Sequence, residues 1–209
     1  MPSSKRVYLG NHIFEVTEKV YEPAEDSFLF AENLDDAKNK KVLDIGTGCG
    51  ILAISVAEDA KSVCCIDINP FAIRCAKQNA KLNSLDAKMF FLQGDLFSAL
   101  NRKIKFDLIL FNSPYLPSHE EEDNIWIERA WSGGEKGREV IDRFINQVYS
   151  HIKNEGSLLL MQSNLSNIDA TILELSKIFK KVQVDAKLSL PFFEELVLIR
   201  ATRLINQHS

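Results

Sequence analysis

Four short stretches of this sequence carry residue types that could do chemistry. The first is Asp44-Ile45-Gly46-Thr47-Gly48-Cys49-Gly50. Alternating glycines let a backbone turn tightly and approach a ligand closely. The spacing is not the Gly-x-Gly-x-x-Gly of dinucleotide enzymes, and the acid ahead of it would repel a pyrophosphate. A cationic ligand suits it better, and S-adenosylmethionine (SAM), with a sulfonium and an ammonium group, is one. The second is Asp67, whose carboxylate can accept bonds from both hydroxyls of a ribose or can serve the helix that opens at Asn69-Pro70. Asn69 is itself the expected cap, with Pro70 at the first helical position, which leaves Asp67 freer for a ligand. The third is Gly94-Asp95-Leu96-Phe97, an acid for an adenine amino group and Leu96 to flank the ring, or simply a solvated turn. The fourth is Asn112-Ser113-Pro114-Tyr115, which as a bare pattern is also a Ser-Pro turn closing a strand.

The elements that must position these stretches follow from the hydrophobic pattern. Val42–Ile45, Ser62–Asp67, Lys88–Gln93, Phe106–Phe111 and Gly156–Met161 read as buried strands. Helices are expected over Ile51–Glu58, from Asn69-Pro70 through Ala80, over Arg138–His151 and over Asn167–Phe179. A hairpin is expected over Arg6–Val16, turning at Gly10-Asn11, with a helix near Ala24–Asn33. Two closing strands, 181–189 and 195–201, form a second hairpin turning at 190–193. The segment from Asn112 to about Gly137 reads as a polar, acidic loop. Strands alternating with helices give βαβ units, a largely parallel sheet and helices on both faces. The four stretches all follow strands, and ligands of such sheets bind outside the carboxyl ends of the strands.

Composition narrows the class. The chain has 209 residues, 45% apolar and 26% charged, with a net charge of −4. That is one soluble domain, residues 1–209 with a hairpin extension over 1–20, able to bury its own core. No apolar run approaches the roughly 18 residues of a membrane span, and no secretory signal is visible. The mild acidity argues against sequence-blind DNA binding. Cys49, Cys64, Cys65 and Cys75 form no Cys-x-x-Cys, and the four histidines are scattered, so no metal site is expected. Reduced structural thiols in a cytoplasmic protein are the natural reading.

Asn112-Ser113-Pro114-Tyr115 resembles the Asn-Pro-Pro-Tyr motif of methyltransferases that act on planar amino groups. Val20–Leu29 and Ala130–Arg143 resemble the short archaeal and eukaryotic branch of the HemK family, over nearly the whole chain from Tyr21 to Ala201. The resemblance implies a Rossmann-like, seven-stranded class I methyltransferase fold with a terminal antiparallel strand. It implies an N5-glutamine methyltransferase that uses SAM to modify the Gly-Gly-Gln loop of a class I release factor in translation termination. Catalytic residues would be Asn112, Ser113, Pro114 and Tyr115; cofactor contacts would be Ser27, Asp44, Gly46, Gly48, Gly50, Asp67, Asp95, Leu96 and Asn112. Glu25 and Asp26 would join Ser27 as a lid over the methionine end of SAM, or would open a helix whose dipole favours early acids.

An amide or aromatic amine nitrogen is a poor nucleophile because its lone pair is delocalised. Acceptors on its two N–H bonds, the Asn112 side-chain oxygen and the backbone carbonyl of residue 113 or 114, would orient it. Tyr115 would pack against the planar group. The sequence departs from the family motif at Ser113, where a proline's fixed φ is lost and the loop is expected to be less rigid.

The acidic run His119–Asp123 reads as a solvated loop, and Trp126 and Trp131 either grip a substrate or anchor that loop. Met89-Phe90-Phe91-Leu92 would lie in an edge strand, which in this branch pairs with a small zinc-binding activator subunit; burial of both its faces under helices is the alternative. The competing functions are an N6-adenine methyltransferase acting on nucleic acid, which needs the same acceptors but also a cationic surface, and an inactive binding scaffold.

Overall fold

A computed structural model describes residues 4–34, 37–118 and 125–205, with the side chain of Ile125 left aside. The acidic run 119–123 therefore lies outside the described residues. Strands β1 (Ser4–Leu9) and β2 (His12–Thr17) form the expected hairpin around Gly10-Asn11. Helix α1 (Glu25–Glu32) follows. The alternation then runs β3 (Lys41–Ile45), α2 (Ile51–Ala57), β4 (Ser62–Asp67), α3 (Pro70–Leu82) and β5 (Met89–Gln93). After it come β6 (Phe106–Asn112), α4 (Ile125–Trp131), α5 (Glu139–Val148), β7 (Ile152–Ser163), α6 (Ile168–Ser176), β8 (Phe179–Ser189) and β9 (Glu195–Leu204).

Among the described residues, seven strands form the main sheet in the order β5-β4-β3-β6-β7-β9-β8. The pairs from β5 to β7 are parallel, and β9, the last strand in the chain, is antiparallel to both of its neighbours. The chain moves outward from β3 to β5 and then returns to lay β6 beside β3. At that reversal the loops after β3 and β6 leave in different directions, and the crevice between them is where such sheets take ligands.

Strand alternation divides the core in two. Val42, Cys65, Leu108, Leu110, Leu159 and Leu198 face α1, α2, α3 and the β1–β2 hairpin, with Phe14 and Phe30 fully buried among them. Leu43, Cys64, Ile109, Phe111, Leu160 and Ile199 face α5 and α6, where Phe111, Phe144 and Phe97 stack in sequence. Cys64 and Cys65 thus point to opposite faces, as adjacent strand residues must. All four cysteines are buried free thiols.

The hairpin is tied to the sheet by two amides one helical turn apart, Asn79 on α3 and Asn83 at its C-cap. Asn83 exchanges bonds of 3.0 and 2.8 Å with the Ile13 backbone, and Asn79 exchanges bonds of 2.9 and 3.1 Å with that of Glu15. These i, i+4 side chains imitate a neighbouring strand for β2 and satisfy backbone groups that would otherwise be unpaired.

One expectation is corrected here. The segment from 112 to 137 is not a loop throughout: α4 occupies Ile125–Trp131 and carries both tryptophans. Its two turns are too short for helical periodicity to stand out in a polar stretch. Among the described residues, no helix is long and apolar enough to cross a membrane.

Candidate active site

A cavity of about 920 Å³ opens at the carboxyl ends of β3, β4, β5 and β6. Its walls include Ser27, Gly46, Gly48, Asp67, Asp95, Leu96, Asn112, Ser113, Pro114 and Tyr115. Ten of the twelve sequence-predicted positions therefore converge on one space. The other two, Asp44 and Gly50, stand behind its wall.

Asp44 is 1% exposed, and its Oδ2 accepts a 2.6 Å bond from the Thr47 hydroxyl. Burial pushes its carboxyl up to about 7, against the Thr47 bond, and the charge of Asp67 adds to the rise. Gly50 lies at φ +88°, and a Cβ there would come within 3.1 Å of Ala76 Cβ. Its bareness lets α2 and α3 meet, which is a packing role rather than a ligand contact.

Asp67 is more engaged than sequence reasoning allows. Asn69 does cap α3 through a 2.9 Å bond from Phe71 N–H. Even so, Asp67 Oδ1 accepts from Asn69 N–H at 2.8 Å and Oδ2 accepts from Gly48 N–H at 2.9 Å. The carboxylate clamps the glycine loop to the end of β4, with further lone pairs left on the cavity side. Burial raises it to about 6 in spite of those bonds. Asp95 is likewise partnered, by the guanidinium of Arg143 on α5. Leu96 is buried and holds φ +49°.

Asn112 ends β6. Its Nδ2 donates to Asp26 Oδ2 at 3.0 Å and to Ser27 Oγ at 3.4 Å. With both N–H bonds directed at oxygens of α1, the amide has one orientation, and its Oδ1 is the atom left over for a ligand. That oxygen is buried and has no partner among the described residues. A buried acceptor without a donor is costly unless a ligand supplies one.

Asp26 is the hub behind it. Its Oδ1 also accepts from the Ser27 N–H at 2.6 Å, the Ser27 hydroxyl at 3.1 Å and the Tyr21 hydroxyl at 3.2 Å. Tyr115 OH lies 3.5 Å from its Oδ2. Burial first, and the charge of Asp26 next, push both phenols upward, so each stays a neutral donor. Sequence reasoning placed Asp26 in a lid or at the opening of a helix, and it does lie in the first turn of α1. Its contact with Asn112 spans 86 residues and leaves no local signal.

Ser113 answers the question raised by its departure from the motif. It is 3% exposed, and its hydroxyl donates a 2.6 Å bond to the Met161 carbonyl on β7, which its own N–H approaches at 3.4 Å. A proline would restrict φ but could make neither bond. The tether to β7 holds the loop by other means. Beyond it, Leu116 pairs with Ser132, and Gly133 N–H donates to the Leu116 carbonyl at 2.9 Å. Gly137, at φ +66°, sits so close that a Cβ would meet the Tyr115 carbonyl at 2.3 Å. The glycines of 133–137 thus form a tight cradle under residues 115–117.

Helix α4 covers one side of the cavity. Trp126 meets Phe71 edge-on at 6.4 Å between centroids, Lys19 Nζ lies 4.5 Å above Phe71, and Arg129 lies 5.6 Å above Trp126. Trp126 therefore anchors α4 to α3 while both tryptophans line the cavity.

Residues 24–189 match the family described as the methyltransferase small domain. A relative from Methanocaldococcus jannaschii, provisionally named a protein N5-glutamine methyltransferase, is 46% identical over 89% of this chain and 93% of its own. The human methyltransferase HEMK2 is 33% identical over 77% of this chain and 78% of its own. The solved structure of the Encephalitozoon (E. cuniculi) Mtq2–Trm112 complex, described as responsible for methylation of the termination factor eRF1, superposes with a TM-score of 0.67. That match covers 88% of this chain and 99% of the other at 24% identity, and shows the fold.

Proposed function

This chain belongs to the methyltransferase small-domain family, in its HemK group, and on that premise we propose that it methylates the side-chain amide nitrogen of the glutamine in the Gly-Gly-Gln motif of a class I release factor. The observation that carries the reading is the oriented, unpartnered Oδ1 of Asn112. A carboxamide nitrogen offers the N–H that this oxygen lacks. The backbone carbonyl of Ser113 or Pro114 takes the second N–H, and Tyr115 packs against the amide plane. Two acceptors set before the reaction favour the tetrahedral nitrogen whose lone pair can attack.

The proposed cofactor is SAM, which when bound supplies an electrophilic methyl group. The residues present fit it. Asp44 and Asp67 are two buried carboxyls that burial pushes up to about 7 and 6, and among the described residues no cation offsets that burial. A cationic ligand beside them would favour their ionised forms. Asp67 keeps acceptor capacity for ribose hydroxyls, Gly46 and Gly48 allow close approach, Ser27 closes the far end, and Leu96 flanks a ring. An adenine amino group at Asp95 would share that carboxylate with Arg143. Asp44 contributes charge and, through Thr47, holds the loop without touching the cavity. No general base is required, because a methylated, protonated amide nitrogen sheds its proton readily.

The proposal extends to a partner. Edge strand β5 has Met89 buried, Phe91 and Leu92 partly buried and Phe90 60% exposed, so one large apolar side chain stands open at the sheet edge. An unpaired apolar edge invites strand addition, and a small zinc-binding activator subunit is the proposed partner there, in the cytoplasm where the substrate acts.

The test is transfer of a labelled methyl group, with and without the activator, to a release factor and to DNA. Label on the Gly-Gly-Gln glutamine that disappears with Asn112→Ala supports the reading. Label in DNA, or on neither, refutes it.

A further inference from the structure

The tip of the β8–β9 hairpin is built against its own local preferences. Phe192 and Phe193 are 96% and 97% exposed, more than any other large apolar residue described. Both hold positive φ, +61° and +64°. Side chains other than glycine avoid that region because Cβ crowds the following carbonyl, and two consecutive phenylalanines there are unusual. The conformation is held from outside. Leu190 N–H donates to the Glu194 carbonyl at 2.8 Å, closing the turn. Asn164, just past β7, donates to the Phe193 carbonyl at 3.0 Å and accepts from Glu195 N–H at 3.0 Å. A strained, braced segment that drives two aromatic rings into solvent is expected where a function requires it.

Its position says which function. Leu190 packs on the same apolar cluster as Tyr115. Glu194 lies close enough to act electrostatically on both Tyr21 and Tyr115, the two phenols that share Asp26 with Asn112. The strand register places the tip at the same end of the sheet as the acceptor amide, since Asn112 pairs with Met161 and Ser163 with Leu196, while the tip residues themselves stand outside the cavity lining. Glu194 has no ion pair among the described residues, whereas its neighbour Glu195 is paired with Lys187 at 2.7 Å. A macromolecule that threads a loop into the cavity covers this end of the sheet.

We propose that Phe192, Phe193 and Glu194 form the docking element for the protein substrate, the two rings seating in an apolar surface of that protein and the carboxylate meeting a lysine or arginine beside its acceptor glutamine. This rests on the function proposed above and adds how a whole protein is told from a free peptide. Aromatic side chains that bury in a pocket of the partner are common anchors of such contacts.

The experiment compares the wild type with the Phe192→Ala/Phe193→Ala double variant and with Glu194→Lys. Methyl transfer is followed to the whole release factor and to a short peptide spanning Gly-Gly-Gln. The tip is outside the core, so both variants fold, and their unchanged melting temperature verifies it. The double variant is expected to raise KM for the whole factor about tenfold or more, the loss of a hot-spot contact, with kcat and the peptide kinetics within about twofold. Glu194→Lys is expected to raise the same KM and to weaken its dependence on salt. If the wild type labels the factor and the double variant keeps its KM, the tip is not the docking element. If both substrates lose equally, the tip acts on the site and not on docking. If the wild type is a dimer that the double variant dissolves at unchanged KM, the surface serves self-association, and the inference falls. A wild type that labels no release factor refutes the substrate and this inference together, an outcome distinct from the others.

Discussion

Asp26→Asn is the sharpest probe of the site, because it keeps the shape of the side chain and changes only its hydrogen-bonding capacity. The wild-type carboxylate accepts from Asn112 Nδ2, the Ser27 N–H and hydroxyl, and the Tyr21 hydroxyl, with Tyr115 at 3.5 Å. An amide at position 26 has one acceptor oxygen and must turn an NH2 toward one side of that ring of donors. Retaining its oxygen for Ser27 and Tyr21 leaves two NH2 groups, those of residues 26 and 112, face to face. Relief comes by rotating the Asn112 amide, which then presents Nδ2 instead of Oδ1 to the substrate. The loss of hydrogen bonds to a charged acceptor is worth about 1.5–3 kcal/mol each. The catalytic consequence is larger, since removing one oriented electrostatic partner of a reacting group costs about 100- to 1,000-fold in kcat, roughly 3–4 kcal/mol. We expect kcat to fall by that factor in steady-state methyl transfer, with the KM for the protein substrate little changed, since binding remote from the amide is untouched. Tyr21→Phe, which removes one donor and leaves the carboxylate, should cost less than about tenfold. If Asp26→Asn lowers kcat by less than about fivefold, the orientation of Asn112 does not depend on Asp26, and the argument fails.

Other outcomes follow from the same geometry. Burial lifts Asp67 from the ordinary 3.8 to about 6. The contribution of this group to the stability of the unliganded protein is therefore greatest when it is protonated, below pH 3.8, and falls by on the order of 3 kcal/mol as pH rises through 6. A cationic, hydroxyl-bearing ligand favours the ionised form, so SAM affinity by calorimetry should run the opposite way, highest above pH 6 and weaker toward pH 5. Asp67→Asn should flatten that decline, and an unchanged slope would remove Asp67 from the site. Gly137→Ala puts a Cβ 2.3 Å from the Tyr115 carbonyl at φ +66°. It should lower stability by about 1–3 kcal/mol in thermal melts and reduce kcat while SAM affinity holds. Ser113→Ala removes the 2.6 Å tether to Met161. A loss of about 1–2 kcal/mol of stability is expected, with a several-fold drop in kcat at unchanged SAM affinity; unaltered kcat would show that the loop needs no tether.

The sequence by itself determined the repeating strand–helix order and the placement of four reactive stretches at strand ends. That information is local. Alternate residues of a strand face opposite layers, glycines and prolines punctuate turns, and Asn69-Pro70 announces a helix start, all within a few residues. Even the hairpins at 10–11 and 190–193 could be read in this way. What each polar group bonds to was decided by the tertiary structure. Asp67 looked freer for a ligand because its neighbour Asn69 caps the helix, yet the folded chain brings the Gly48 amide to it across 19 residues. Asp44 and Gly50 belong to the glycine loop in sequence but stand behind the cavity wall, because the strand pleat and the approach of α3 turn them away. Ser113 gained its anchor from β7, Asp95 its partner from α5, and Trp126 its seat on Phe71. Asp26 and Asn112 meet only because α1 lies over the end of β6. Local pattern reports which face a residue occupies, whereas the partner of a polar side chain depends on which distant segment packs there, and only the closed fold settles that.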